Sequence, residues 1–184
     1  MTNYLNNIAL LSNSEDRPEI YIRCLSSYAN GIYHGAWLDA TQPLEALHRQ
    51  IKQLLAKSPM KNAEEVAVHG YSGFGDLFID ENEGIEEIHN KARFIIEQGE
   101  LGAELLAYYG GDLKYVKETL EEYYEGEYES ETDYADHLFD DIHLPEIPQH
   151  LQPYIDYEKF QRDIFINDYL SIKVEGSCHI FRRH

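Results

Sequence analysis

EEYYEGEYESETDYADHLFDD, Glu121 to Asp141, holds ten carboxylates and five aromatic rings in 21 residues, with no Lys or Arg. Charge of one sign at this density favours a solvated coil. The aromatic residues argue for a fold, because each ring can bury a large apolar area. Sorting the two kinds of residue decides the matter. At 100° per residue from Asp112, Leu113, Val116, Leu120, Tyr123 and Tyr124 fall on one side of a helix, and Glu118, Glu121, Glu122 and Glu125 on the other. Gly126 is expected to end that helix. Ser130 then caps another, with Asp133 placed for a capping box. On it Tyr134, Ala135, Leu138 and Phe139 share a face, while Asp133, Asp136 and Asp140 lie opposite. The segment is therefore expected to fold with its acids kept on the outside.

The rest of the chain divides around this stretch. Its 184 residues carry a net charge of −19, with 43% apolar and 12% aromatic residues. The excess is lopsided. Residues 1–75 hold six basic and seven acidic side chains, and residues 76–184 hold nine and 27. From Glu118 to Glu158 there are 14 acids and no Lys or Arg. This balance excludes a conventional nucleic-acid binder, which needs a basic stripe. It equally disfavours docking on an anionic membrane. No run reaches the ~18–20 apolar residues of a membrane span, and Met1–Leu11 lacks the basic start of a leader. A cytoplasmic location is expected, with Cys24 and Cys178 as buried free thiols.

Local patterns set the elements. Glu19–Thr41 reads as a β-hairpin turning at Asn30-Gly31. Thr41 and Pro43 open a helix with the stripe Leu44, Leu47, Ile51, Leu54 and Leu55. Glu65–Tyr71 is a third strand. Ile85, Ile88, Ala92, Ile95 and Ile96 mark a helix that Gly99 ends, and a shorter one closes at Gly110-Gly111. After Pro145, Pro148 and Pro153, a helix begins near Asp156. A final hairpin turns at Glu175-Gly176-Ser177. The fold class is α+β: an extension over 1–18, an N-terminal α+β domain over 19–82, a helical centre over 83–121 and a C-terminal α+β domain over 122–184.

Catalytic chemistry finds no support in the motifs. There is no HExxH and no CxxC. Asp80 and Asn82 begin a faint calcium-loop pattern, but Ile85 stands at the glycine position and Lys91 at the bidentate acid. GYSGFGD, Gly70–Asp76, lacks the order of a dinucleotide fingerprint and ends on an acid where phosphate would come. Carboxylate pairs abound in any acidic chain, and no Gly-x-Ser-x-Gly nucleophile turn is present. No metal, no cofactor and no enzymatic activity are expected.

The acidic face itself remains. B-DNA carries one charge per ~1.7 Å of axis. Glu118 to Glu125 place four acids on ~10–12 Å of helix, about half that density. Two chains together, at twice −19, match the phosphates of ~19 base pairs.

The segments IYIRCLSSYANGIYHGAWLDAT (20–41), EEVAVHGYSGFGDL (64–77), LLAYYGGDL (105–113), YEGEYESETDYADHLFDD (124–141) and LPEIPQHLQPYIDYEKFQRDI (144–164) resemble, in this order, the ArdA antirestriction family. The resemblance implies an elongated three-domain α+β chain that dimerises. It also implies a DNA mimic that blocks the DNA-binding groove of type I restriction–modification enzymes and protects incoming mobile-element DNA. On that reading, phosphates are mimicked by Asp80, Glu81, Glu83, Glu86 and Glu87, by Glu118, Glu121, Glu122, Glu125, Glu127, Glu129 and Glu131, and by Asp133, Asp136, Asp140 and Asp141. Tyr123, Tyr124, Tyr128, Tyr134 and Phe139 are core residues by their spacing, with a homodimer seam as their second role. The same surface would also serve an acidic decoy or chaperone for another basic DNA-binding protein.

Overall fold

The computed structural model describes residues 17–183. It is α+β, as the patterns predict, with two separate three-stranded antiparallel sheets. By its internal contacts the chain forms two compact units that meet in sequence between Gly111 and Asp112, within the central segment 83–121. Of the N-terminal extension, only Arg17 and Pro18 fall among the described residues. The Pro18 carbonyl accepts from the Ala40 amide at 2.9 Å, and Arg17 pairs with Asp39 at 3.7 Å.

In the first unit, β1 (Glu19–Cys24) is the central strand, between β2 (Gly35–Asp39) and β3 (Val66–Ser72). Ile20, Ile22 and Cys24 alternate inward and are fully buried, as period-two patterning requires. β1 and β2 pair antiparallel from Glu19↔Asp39 to Arg23↔Gly35, but they do not form the expected tight hairpin. A short helix, α1 (Leu25–Ala29), follows β1 at once. Asn30 ends that helix, its side-chain amide donating to the Ser26 carbonyl at 2.8 Å. Gly31, at φ 72°, leads the chain away. The Asn-Gly pair therefore closes a helix instead of turning a hairpin.

Helix α2 (Leu44–Ala56) packs on β1 and β2 through Leu47 and Ile51. Its start is not capped by Thr41. That residue gives both its N–H and its hydroxyl to Asp39 Oδ1, at 2.7 and 2.6 Å. The Pro43 carbonyl instead accepts the first helical N–H groups. Helix α3 (Ile85–Tyr108) buries Ile88, Ala92, Phe94, Ile95, Leu105 and Leu106. It is broken where the sequence predicts, because Gly99 adopts φ 67° and ψ −151°, open to glycine at little cost.

The second unit begins with α4 (Leu113–Glu122), capped by Asp112, whose side chain accepts from the Tyr115 amide at 3.0 Å. This helix stops at Glu122, short of the expected Gly126. Tyr124–Tyr128 is instead a strand, β4, paired with β6 (Ser177–Arg182). Beyond it, α5 (Glu131–Leu138) is capped by Ser130 and α6 (Tyr157–Asn167) by Asp156. β5 (Tyr169–Val174) and β6 make the predicted hairpin, with Glu175 and Gly176 at positive φ. β6 lies between β4 and β5, so its Ile180 and Phe181 are fully buried. The core is rich in rings: Tyr134, Ala135, Ile164, Cys178 and Ile180, with Tyr128, Phe160, Phe165 and Tyr169 against them. Cys24 and Cys178 are both buried free thiols.

Candidate functional site: an acidic surface

Within the second unit, sorting acid from apolar survives the change of secondary structure. On α4, Val116 and Thr119 face in, while Glu118, Glu121 and Glu122 are exposed. β4 then takes over with the period of a strand. Tyr124, Gly126 and Tyr128 are half-buried, and Glu125 and Glu127 are exposed between them. The pairing of β4 with β6 shifts register between Tyr124 and Gly126, which leaves Glu125 at a bulge. There it meets Arg182 at 3.4 Å. Glu127 accepts from the Ser177 hydroxyl at 2.7 Å.

At the start of α5 the expected capping box forms with one change. Ser130 Oγ accepts from the Asp133 amide at 3.0 Å, and Asp133 reaches back to the Glu129 amide at 3.3 Å, not to that of Ser130. Asp133, Asp136, Asp140 and Asp141 are all exposed, as is Glu129, whereas Glu131 is half-buried. Asp140 accepts from the Tyr157 hydroxyl at 2.7 Å, a bond that pushes the Tyr157 pKa up. Asp141 stands 3.4 Å from His137.

Tyr128 registers the field these groups make. Burial raises its pKa, and the carboxylates of Glu125, Asp133 and Asp141 raise it further. Those three acids come from a strand, a helix and the turn beyond that helix, yet all act on one phenol.

In the first unit the expected residues lie around the start of α3. Asp80, Glu81, Glu86 and Glu87 are exposed. Asp80 Oδ1 accepts from the Asn82 amide at 2.9 Å, and Glu86 and Glu87 sit in the first turn of α3, where negative charge is favourable. Glu83 differs. It pairs with Lys91, and the two side chains are only 11% and 13% exposed, so its charge is answered inside the unit.

The five aromatics serve the interior. Tyr134 and Phe139 are buried, and Tyr123, Tyr124 and Tyr128 are half-buried. Tyr124 bonds His179 at 2.8 Å. Tyr128 packs edge-on against Tyr134 at 4.9 Å, and Phe139 lies 4.9 Å from Phe160. Acids outside the expected set share the surface: Glu146, Asp156, Glu158, Asp163, Asp168 and Glu175 are all exposed. The first three lie inside the cation-free stretch 118–158, which was the signal that could have included them.

Among the described residues no group of three or more His, Cys, Asp or Glu is placed to hold a metal ion. No helix there is long and apolar enough to cross a membrane. The fold and its surface thus define a class: an α+β protein whose distinctive feature is a folded array of outward carboxylates. The family model of the antirestriction proteins (ArdA) matches residues 20–178, and the chain belongs to that family. Membership makes it an antirestriction protein, of a kind that acts on restriction enzymes as a non-catalytic inhibitor. No individual curated protein matches the chain.

Proposed function

We propose that this antirestriction protein is a DNA mimic. Its acidic surface occupies the DNA-binding groove on the methyltransferase core of a type I restriction–modification enzyme. Incoming mobile-element DNA is thereby shielded in the cytoplasm. One observation carries the reading. Between Glu118 and Glu158, 13 of 14 carboxylates are exposed, 11 of them on helices or strands, with no Lys or Arg among them. A groove built to neutralise phosphates gains from such a surface what it gains from DNA, including release of condensed counterions.

Asp80, Glu81, Glu86 and Glu87 in the first unit, and the carboxylates from Glu118 to Asp141 in the second, stand in for phosphate oxygens. No single one dominates, because the interaction is spread over many contacts. The working form is a homodimer, with the half-buried rims of Tyr123, Tyr124 and Tyr128 at its seam. The protein itself binds no nucleic acid, since its charge repels phosphate.

A competition assay tests this. Purified type I methyltransferase core is held on labelled target duplex, and the protein is titrated at two salt concentrations. Displacement near one dimer per enzyme, weaker at the higher salt, is the expected result. Failure to displace duplex at large excess would refute the target. It would favour a decoy for another basic DNA-binding protein, which a pull-down from lysate would identify.

A further inference from the structure

The first sheet has an aromatic face that the acidic surface does not explain. Tyr21 and Arg23 point away from the core side of β1. Across the pairing, Tyr21 is opposite Trp37 on β2 and Gly70 on β3. The Tyr21 and Trp37 rings lie 5.5 Å apart. A Cβ on Gly70 would touch the Trp37 ring at 3.5 Å, so the indole lies across the sheet where a side chain would otherwise stand. The guanidinium of Arg23 sits 4.1 Å from the centre of the Tyr28 ring and 4.8 Å from that of Tyr33. His69, the extra residue where β3 slips register against β1, meets Tyr28 edge-on at 4.9 Å.

These rings are not core. Tyr33 is 87% exposed, Trp37 52% and Tyr28 49%. Nor is the cation balanced. Arg23 Nε is buried without a hydrogen-bond partner among the described residues, and no carboxylate pairs with it there. Its surroundings are less acidic than the rest of the chain, since residues 17–75 carry six basic and five acidic side chains.

A guanidinium held against rings keeps its Nη edge oriented, and with Nε buried it is that end-on edge that matches a carboxylate. Arg, Trp and Tyr are also the residue types that dominate protein–protein contacts. A nucleic acid would bring its own charge against −19, whereas a single carboxylate on a protein partner would not. We infer that this face of the first sheet, centred on Arg23, Tyr33 and Trp37, is a docking site for a carboxylate-bearing segment of the restriction enzyme. The inference rests on the proposed function for the enzyme's identity. It supplies what a field of charge lacks. Any basic groove accepts a carboxylate array, but only a surface with a matching acid and apolar neighbours fits the aromatic face.

The test uses full-length protein and purified type I methyltransferase core. Affinities are measured at two salt concentrations for wild type, Tyr33→Ala, Arg23→Gln and a Glu121→Gln/Glu122→Gln variant. Tyr33 is so exposed that its loss should leave the thermal midpoint unchanged. Tyr33→Ala is expected to weaken binding about tenfold while keeping the wild-type salt dependence. Arg23→Gln should weaken binding and flatten that dependence slightly, and the double glutamine variant should flatten it more. Wild-type affinity in both Tyr33→Ala and Arg23→Gln, with wild type binding tightly, would overturn the docking site and leave the mimicry standing. A wild-type protein that does not bind the core would overturn both. Loss of oligonucleotide binding or of self-association in Tyr33→Ala, in place of enzyme binding, would overturn the assigned occupant.

Discussion

Salt should act on this protein in two opposite directions. Raising KCl from 10 to 150 mM should stabilise the second unit and weaken its grip on a basic partner. The unit from Asp112 onward holds 18 acidic and seven basic side chains, and 17 of those acids are exposed. A compact body of 73 residues is equivalent to a sphere of radius ~15 Å, against ~34 Å unfolded. Over this salt step the Debye length falls from ~30 to ~8 Å. Treating the net charge as spread over spheres of those sizes, screening relieves roughly 5 kcal/mol of self-repulsion when folded and roughly 2 when unfolded. The difference, ~3 kcal/mol, corresponds to a rise of roughly 15 °C in melting midpoint for a unit this small. Circular dichroism near 275 nm follows it, because Tyr128, Tyr134 and Tyr169 pack in that core. A midpoint that stays flat or falls with KCl would refute the reasoning, since it would mean that attractive pairs such as Arg182–Glu125 outweigh the repulsion.

Ile180 is fully buried on the central strand of the second sheet, so Ile180→Ala should lower stability by ~2–5 kcal/mol in urea titrations; a loss under 1 kcal/mol would contradict that placement. Ser130→Ala removes the cap on α5 and should cost ~1 kcal/mol, with Ser130→Asp restoring most of it; equal stability of all three would deny the cap. Burial, then the carboxylates of Asp76 and Glu100, hold Glu104 above its ordinary pKa. A carboxyl raised on folding binds its proton more readily in the native state, so stability falls as pH climbs through the interval between the unfolded and folded values. Glu104→Gln should therefore melt higher than wild type at pH 7 and lose that advantage below about pH 4; an advantage that grows as pH falls would reverse the sign.

The sequence made legible what near neighbours decide. Asp112, Ser130 and Asp156 cap helices through bonds to residues three positions on. Gly99 breaks a helix by its own backbone, and Glu175-Gly176 turns a hairpin whose strands are adjacent in the chain. Distant partners decided the rest. Tyr124–Tyr128 alternates acids with two rings and a glycine, a pattern open to a strand. Yet only Tyr123 separates it from a helix, and the strand it pairs with is far downstream, as in Tyr128↔Cys178. α1 was hidden for another reason. Leu25–Ala29 is too short to show a helical period, while the Asn-Gly after it imitates a hairpin turn. Outward acids were predictable because charge resists burial whatever the element. The retreat of Glu83 depends on Lys91, a turn and more into α3, and single-residue charge counting does not see it. The aromatic clamp on Arg23 draws on a strand, a short helix and a loop, so no local pattern announced it.

The pairing of β4 with β6 also sets an order of events. Glu127 and Ser177, which bond across that region, are 50 residues apart in the chain, and β6 is the strand that holds the other two together. A growing polypeptide therefore emits all of its acidic stretch, Glu118 to Glu158, before the strand that organises it leaves the ribosome. Until then the carboxylates belong to a solvated coil, kept from clumping by their own repulsion. The same long closure makes the step slow relative to local helix formation. The second unit consequently gains its shape late, and a chain interrupted before Ser177 carries the full charge of the acidic stretch without the surface that gives it meaning.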